Sequence, residues 1–376
     1  MADKERKTSA EKAKFAFDEF LPGYIHSPII PSREAEVIYR RVKCQVPTRF
    51  GTLLINPSRF VHPSRPRFYD ISNVNFAVGA YTQAEVSLID DSEIIVDPSV
   101  ERPLIVQHAA ELIRQAAGLT EVGFKINVSS EFKLKHAGLA SSAAIQHSVA
   151  YAVNKALGEP LSREQLITYL AENNGEESDK AGFLVSEPST GGLGAVCLWG
   201  GGVVFLGDEM KVIGQTKVPE NYVYVLGLPS LGEDKVEKIE DNYGRVMAYY
   251  EEIDRKWGVV KRQMVENELV PAFRRNDISS IGNLVFDFTL NRYGDIQGSF
   301  DLMSPGVSMS RYMRSLEVLR TDEHVVSAFV SSTGSNIVIL TSRPETAKDH
   351  FNSLGIKDIF YLHPDNIGAT FECHPI

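Results

Sequence analysis

A run of small residues, Gly138-Leu-Ala-Ser-Ser-Ala-Ala144, stands between two apolar patterns. Small side chains let a ligand approach the backbone closely, and Ser141 and Ser142 add hydroxyl donors. If the run leads into a helix, the first N–H groups have no partner within that helix, and the helix dipole adds partial positive charge. Such a helix start binds phosphate. Ser is also a preferred N-cap, so a purely structural role for Ser141 stays equally open.

Two lysines precede this run and could neutralise a bound polyanion. We therefore predict one phosphate-binding site from the lysines and the small residues together. Its members are Lys133, Lys135, Gly138, Leu139, Ala140, Ser141, Ser142 and Ala143.

The patterns on either side predict the elements that position the site. Residues 122–128 alternate apolar with other side chains, as a strand with one buried face does. Residues 144–157 keep helical spacing until Gly158-Glu-Pro160 ends the helix. Residues 104–117 are predicted to form an amphipathic helix. Residues 161–174 are predicted to form another, with Ser162 as its cap.

An arginine-rich loop lies earlier in the chain. Arg59, Arg65 and Arg67 stand within a few residues of one another in an acidic protein. Charge runs of this kind usually form solvated loops. We favour a binding role here, because the planar guanidinium group suits carboxylate and phosphate recognition.

The length of 376 residues predicts two domains. We expect an N-terminal extension (1–40) with a short helix near 11–20, a first domain (41–217) and a second (218–376). The order of the elements predicts an α/β (α+β) fold of helices on largely antiparallel sheets. Further expectations are strand pairs at 81–95 and 195–206, and a strand pair that closes the chain.

Composition excludes several classes of function. The net charge of −10 argues against a general nucleic-acid binder. No segment has the length and apolarity of a membrane span, and the charged start of the sequence is unlike a signal peptide. Three scattered cysteines lack metal-ligand spacing, which is typical of thiols in a reducing compartment. We expect a cytoplasmic protein.

The small-residue run resembles the phosphate loop of the GHMP kinase superfamily. Residues 331–336, Ser-Ser-Thr-Gly-Ser-Asn, resemble its third glycine-rich motif, and Pro47-Thr-Arg49 occupies the place of its first. The three motifs occur in the family's order. The resemblance implies a two-domain fold, with a first domain like ribosomal protein S5 and a ferredoxin-like second domain. It also adds Ser332 and Gly334 to the phosphate site.

One position departs from the kinase pattern. Many of these kinases have an Asp that activates the substrate hydroxyl, and the matching position here is Gly194. A non-kinase branch, the β-ribofuranosylaminobenzene 5′-phosphate synthases, also has glycine there. It is similar around Pro47-Thr-Arg-Phe-Gly51 and His136-Ala-Gly-Leu-Ala-Ser141.

The second resemblance implies a C-glycoside synthase that uses phosphoribosyl pyrophosphate (PRPP). Such an enzyme joins C1′ of ribose 5-phosphate to an aromatic or heteroaromatic carboxylic acid, with loss of CO₂ and pyrophosphate. Gly51, Ala140 and the run that follows Ser142 differ from this branch. The differences fit the relatives that make C-nucleoside antibiotics, which use a pyrazole carboxylate.

The implied mechanism assigns roles to charged residues. Pyrophosphate departure requires Mg²⁺ and preorganised donors. The expected catalytic residues are His136, Arg49 and Asp179, and the expected metal ligands are Asp70 and Glu177. The acceptor carboxylate is expected to bind Arg59, Arg67 and Arg292, although Arg292 could instead pair with a nearby Asp. His147 is interpreted as structural.

Two alternatives stay open. One is an ATP-dependent small-molecule kinase, which a base close to Gly194 in space would favour. The other is a catalytically inactive relative that binds or regulates. The acceptor heterocycle, the role of residues 1–40 and a homodimeric assembly are likewise left open.

Overall fold

The computed structural model describes residues 18–60, 72–132, 138–178, 180–187, 189–229, 239–290, 292, 309–331 and 336–376. These residues form a mixed α/β structure with three sheets. The strands are β1 (Glu19–Phe20), β2 (Tyr39–Thr52), β3 (Asn73–Ile89), β4 (Ile94–Val96), β5 (Gly123–Ser130), β6 (Gly175–Glu177), β7 (Leu184–Ser186), β8 (Val203–Leu206), β9 (Val212–Thr216), β10 (Val223–Leu228), β11 (Val325–Phe329), β12 (Ile337–Thr341), β13 (Asp358–Leu362) and β14 (Thr370–Pro375).

The helices follow the same order. They are α1 (Pro103–Ala116), α2 (Ser141–Ala156), α3 (Arg163–Glu172), α4 (Gly192–Leu198), α5 (Ile239–Met264), α6 (Val270–Arg274), α7 (Ile278–Thr289), α8 (Met309–Ser315) and α9 (Pro344–Ser353). A π-helical turn joins α5 to α6. None of the helices in the described part of the chain is long and apolar enough to cross a membrane.

The largest sheet belongs to the first domain and has the order β14-β2-β3-β5-β4, with β8 and β9 added beside β3. Its inward side chains, among them Val86, Phe124 and Ile126, are fully or almost fully buried. They pack against the apolar faces of α1 and α2 in one core. The predicted strand at 122–128 and the predicted helices at 104–117, 144–157 and 161–174 are confirmed as β5, α1, α2 and α3.

The second domain contains a four-stranded sheet in the order β11-β12-β10-β13. Its core continues into the first domain through aromatic contacts. Phe76 of β3 stacks on Phe329 of β11, with 5.1 Å between ring centroids. Phe50 of β2 meets Tyr224 of β10 edge-on at 5.5 Å. Such ring pairs stabilise a protein by more than their buried area alone would predict. Because these pairs join β2 and β3 to β10 and β11, the two domains share one apolar interface.

The prediction of a strand pair at 195–206 is wrong in its first half. Residues 192–198 form helix α4, and only Val203–Leu206 is a strand. Gly191 begins the helix at φ 69°, a left-handed conformation that glycine adopts without steric cost. Both elements are short apolar runs, and the periodicity of such a run cannot separate a helix from a strand.

The strands of the two other predicted pairs, at 81–95 and at the end of the chain, are confirmed, but their pairing with each other is wrong. β3 continues to Ile89, while β4 pairs in parallel with β5 rather than folding back on β3. The closing strands separate: β13 pairs with β10, whereas β14 returns to β2 in the first sheet. Most of the helix predicted near 11–20 lies outside the described residues, and its last two residues form β1.

Candidate functional site

Helix α2 begins without a side-chain cap. Its N-cap residue is Ala140, in the left-handed conformation at φ 55°, and among the described residues no side-chain hydrogen bond caps the helix. Ser141 is therefore the first helical residue rather than the cap. The first-turn N–H groups thus remain available for an anion, and the helix dipole favours negative charge at this end.

The three glycine-rich motifs meet beside this helix start. Gly51 N donates to Ser331 Oγ at 3.2 Å, and the same hydroxyl donates to Gly138 O at 2.8 Å. Asn336 Oδ1 accepts from Ser331 N at 3.1 Å. Gly138 has φ +70°, and a Cβ there would lie 2.0 Å from Asn336 Nδ2. The contact therefore requires glycine at position 138.

A buried arginine joins two oxygen atoms at the same end of α2. Arg102 Nη1 contacts Ser142 Oγ and also lies 2.8 Å from Glu176 Oε1. The Arg102 side chain is only 9% exposed. One nitrogen atom thus brings a serine hydroxyl and a carboxylate together. The neighbouring Glu177, predicted as a metal ligand, accepts a hydrogen bond from Leu104 N at 3.0 Å through its Oε1 atom.

A pocket of about 260 Å³ opens next to the first residue of α2. Val100, Phe132 and Ile145 provide apolar walls, while Asn127 and Ser129 provide polar groups. Ligand pockets generally combine apolar walls with a few polar groups that fix orientation. The pocket volume is close to the lower end of the usual range. Phosphate groups at the helix start and an attached ring system in the pocket would therefore be contiguous.

Gly194 lies in the first turn of α4 and faces two buried polar groups. A Cβ at this position would lie 3.3 Å from His147 Nε2, 3.3 Å from Tyr151 Oη and 3.0 Å from Ile167 Cγ1. Neither His147 Nε2 nor Tyr151 Oη has a hydrogen-bond partner among the described residues. Both side chains belong to α2, and each is 2% exposed.

Burial controls the protonation of this cluster. Desolvation lowers the pKa of His147 to about 4; the hydrogen bond with Ala143 O opposes this shift, and the charge of Arg49 adds to it. Desolvation also lowers the pKa of Arg49 to about 10 and raises that of Tyr151 well above its ordinary value. His147 is therefore neutral at pH 7, whereas Arg49 remains charged.

The predicted acceptor-binding arginines have other partners in the described structure. Arg59 Nη1 lies 3.1 Å from Asp208 Oδ2 at the surface. Arg292 Nη1 lies 3.0 Å from Asp287 Oδ1, which also binds Arg320. Neither pairing brings these arginines to the start of α2, and their role in binding an acceptor stays a prediction.

Several predicted site residues lie outside the described residues. They are Lys133, Lys135, His136, Arg67, Asp70, Asp179, Ser332 and Gly334. Within the described residues, no group of three or more His, Cys, Asp or Glu side chains could hold a metal ion.

Sequence reasoning did not predict the contacts of Arg102 with Ser142 and Glu176, or the position of His147 beside Gly194. Nothing in the spacing of Arg102 and Ser142 indicates that they touch, because the contact joins separate elements. His147 stands six residues after Ser141 on a buried helix face, and this position looks structural.

Comparison with known proteins adds two findings. Residues 104–185 match the family model of the GHMP kinases N terminal domain. This range contains all of α1 except its first residue, together with the whole of β5, α2, α3 and β6. No protein of curated function matches the sequence significantly.

Solved structures match nearly the whole chain. Homoserine kinase from Cytophaga hutchinsonii is 18% identical, with a TM-score of 0.59, over 89% of this chain and 98% of that one. Mevalonate diphosphate decarboxylase from Staphylococcus aureus is 14% identical, with a TM-score of 0.61, over 89% and 98%. A structure described as MDDEF in complex with MVAPP, AMPPCP and magnesium is 16% identical, with a TM-score of 0.58, over 89% and 99%.

The chain thus has the two-domain GHMP-kinase-like fold that the motifs predicted. Residues 104–185 match the GHMP kinases N terminal domain, whereas the matches to homoserine kinase and mevalonate diphosphate decarboxylase, at 18% and 14% identity, show the fold alone. They leave the substrate unspecified.

Proposed function

We propose that this protein is an ATP- and Mg²⁺-dependent enzyme that transfers a phosphoryl group to a hydroxyl of a small molecule. The observation that carries this proposal is the pocket of about 260 Å³ that adjoins the uncapped start of α2. A polyphosphate alone needs only the helix start. A nucleoside triphosphate also needs a site for its base, and the apolar walls of the pocket suit a purine ring.

Oxygen ligands for Mg²⁺ are present beside the phosphate site. Mg²⁺ prefers one or two protein oxygen ligands, with phosphate oxygens and water completing its shell. Ser142 Oγ and Glu176 Oε1 are oxygen atoms at this end of α2, but both contact the guanidinium nitrogen Nη1 of Arg102, which would have to move aside for a second cation. These two residues would hold the ion, which neutralises charge on the transferring phosphate when bound. Glu177 would not bind the ion directly. It accepts a hydrogen bond from Leu104 N and would stabilise the start of α1 beside the metal site.

The chain's own groups would do the remaining work. Phosphoryl transfer relies mainly on positioning and on charge stabilisation rather than on covalent chemistry with the protein. The first-turn N–H groups of α2 would hold the phosphates, and the Ser331 hydroxyl keeps Gly138 and Gly51 in place beside them. The charged Arg49 would attract an anionic acceptor toward the same cleft.

The PRPP-dependent C-glycoside synthase is the second candidate. Gly194 favours it, because a decarboxylating C–C bond formation needs no strong base at that position. The family match and the kinase-like fold support the kinase reading better. PRPP also has no base to occupy the pocket. The heteroaromatic acid and the antibiotic pathway remain predictions of this second candidate.

A binding comparison separates the two candidates. We expect calorimetry with Mg²⁺ to show ATP binding more tightly than PRPP by at least about tenfold, or about 1.4 kcal/mol. Ser129→Trp should sharpen the result, since the exposed Ser129 lines the pocket and an indole there would exclude the purine. Lys125→Trp is the matched control, because Lys125 is exposed on the same strand and lies outside the pocket lining.

We expect Ser129→Trp to bind ATP more weakly than the unmodified protein and Lys125→Trp to bind it equally well. Both variants should bind PRPP with the same affinity. Tighter binding of PRPP than ATP by the unmodified protein would instead support the synthase. The proposal also requires ADP formation that depends on an added alcohol, such as L-homoserine or mevalonate.

A further inference from the structure

A buried arginine lies where three elements of the first domain meet. Arg102 immediately precedes α1 as its N-cap residue. Its Nη1 atom contacts Ser142 Oγ in the first turn of α2 and lies 2.8 Å from Glu176 Oε1 on β6. The guanidinium group therefore lies between the two oxygen atoms that the proposed function assigns to Mg²⁺.

Burial strengthens the electrostatic effect of this guanidinium group. The side chain of Arg102 is 9% exposed, and that of Glu176 is 25% exposed. Salt screens a buried ion pair much less than a surface pair. When such a pair separates, each charge is left uncompensated in the interior, which is strongly unfavourable. Arg102 therefore leaves Glu176 only when a second anion binds the arginine and a second cation binds the carboxylate.

The same contacts disfavour a metal ion at these oxygens. Ser142 Oγ and Glu176 Oε1 both contact Nη1 of Arg102. A divalent cation that approached them would lie next to the guanidinium charge, and like charges repel more strongly inside a protein than in water. The described part of the chain contains no other group of three or more His, Cys, Asp or Glu that could hold the ion.

A bound phosphate removes this conflict. Arg102 and Ser141 both line the pocket beside α2, so the arginine borders the space in which the nucleotide is proposed to bind. Glu101, the other charged residue among the described lining residues, is exposed, whereas Arg102 is buried. Guanidinium groups bind phosphate oxygens through pairs of hydrogen bonds. The negative charge of the phosphates would compensate both the arginine and the metal ion.

We propose that Arg102 keeps divalent cations away from Ser142 and Glu176 until a nucleotide binds, and then pairs with one of its phosphates. The inference rests on the proposed function, because it takes ATP as the ligand at the start of α2. The ion then enters with the nucleotide or after it, and not before it. Since the coupling between two ligands is reciprocal, each raises the affinity for the other by the same factor.

Manganese binding in the absence of nucleotide tests the exclusion of the ion. Mn²⁺ shares the oxygen ligands of Mg²⁺, and electron paramagnetic resonance measures its free concentration. The unmodified protein should bind Mn²⁺ only weakly. Arg102→Gln removes the charge and should bind it at least about tenfold more tightly, or about 1.4 kcal/mol. Arg102→Lys keeps the charge and should bind Mn²⁺ as weakly as the unmodified protein does.

ATP binding in the absence of metal ions tests the phosphate contact. With EDTA present, calorimetry should show that Arg102→Gln binds ATP at least about tenfold more weakly than the unmodified protein. The substitution should thus move the two affinities in opposite directions. An arginine with a purely structural role would lower both affinities together, because its loss would disturb the start of α2.

Arg114→Gln is the matched control. Arg114 lies in the last turn of α1, its side chain is 10% exposed, and its Nη2 atom lies 2.7 Å from Glu111 Oε1. It resembles Arg102 in burial and in pairing but lies outside the pocket lining. Arg114→Gln should lose stability in thermal denaturation and keep both affinities of the unmodified protein.

Each measurement can contradict the proposal. If the unmodified protein without nucleotide bound Mn²⁺ as tightly as Arg102→Gln does, the arginine would exclude nothing. An unchanged ATP affinity of folded Arg102→Gln in EDTA would rule out the phosphate contact, and a loss of both affinities would leave only a structural role.

The proposal stays testable if Arg102→Gln does not fold. Tight Mn²⁺ binding by the unmodified protein alone, or by Arg102→Lys, would still refute the exclusion of the ion. Failure of the unmodified protein to bind ATP with Mg²⁺ present would instead remove the proposed function itself.

Discussion

Two consecutive helices of the first domain begin in opposite ways. Helix α3 is closed by side chains: Gln165 N donates to Ser162 Oγ at 3.3 Å, and Gln165 Oε1 accepts from Ser162 N at 3.0 Å. Its far end is closed as well, since Asn173 Nδ2 donates to Tyr169 O at 2.8 Å. Helix α2 begins at Ala140 with no side-chain cap.

The difference shows what the same residue type does in two settings. Ser162 satisfies the backbone of its own helix, as a capping serine does. Ser141 and Ser142 begin a helix whose N–H groups are left for a ligand. The buried histidines differ in the same way, because His108 bonds through both nitrogens and His147 through one. Ser162 and His108 thus use their polar groups within the fold, whereas the start of α2 and His147 Nε2 have no such side-chain partner among the described residues.

The largest effect should be a loss of stability at low pH, and both buried histidines, His108 and His147, should contribute to it. Each has a folded pKa of about 4, below the ordinary value of 6.5, so the unfolded chain binds more protons between these pH values. The free energy of unfolding should therefore fall as the pH drops from about 6.5 to about 4, by roughly 3 kcal/mol per histidine.

Urea denaturation at pH 7 and at pH 4.5 measures this loss of stability. His108→Ala and His147→Ala should each show a smaller loss than the unmodified protein. If the unmodified protein and both variants lost the same stability, the two histidines would have ordinary pKa values in the folded protein. The prediction would then be wrong.

The next largest effect should come from a negative charge introduced into the first turn of α2. Ser141→Asp places a carboxylate where the phosphates are expected, so ATP affinity should fall at least about tenfold. Stability should be unchanged or slightly raised, because the helix dipole favours an acidic residue there. Calorimetry with ATP and Mg²⁺, together with thermal denaturation, separates the two quantities. An unaltered dissociation constant in the folded variant would remove the phosphate site from α2.

The smallest effect should come from removal of the side-chain cap of α3. Ser162→Ala removes the cap of α3 and should lower the free energy of unfolding by about 1 kcal/mol. ATP affinity should stay the same, since α3 begins away from the pocket lining. A binding defect as large as that of Ser141→Asp would contradict the division between structural and functional helix starts. Denaturant titration and calorimetry are again the measurements.

The sequence predicted those features that depend on neighbouring residues. The cap of α3 could be identified because Ser162 and Gln165 form a local pattern. The strand β5, the small-residue run and α2 also succeed one another within one stretch. Family motifs extended this to Gly51, Gly138 and Ser331, whose contact spans both domains.

Features that depend on distant partners were not predictable in this way. The position of His147 Nε2 beside Gly194 could not be predicted, because it follows from the packing of α2 against α4 across the core. Arg102 meets Glu176 only after α1 and β6 have packed together. The helix at 192–198 was mistaken for a strand, since a short apolar run is compatible with either.

The last strand has a consequence for how the chain is synthesised. β14 pairs with β2, so residues 370–375 complete a sheet begun at residue 39. The first domain of a growing chain usually folds while the rest emerges from the ribosome. Here the outer edge of β2 stays uncovered in the nascent first domain until residues 370–375 have been translated. Such an edge invites pairing with other chains, so translation speed and chaperones should govern the yield of this protein.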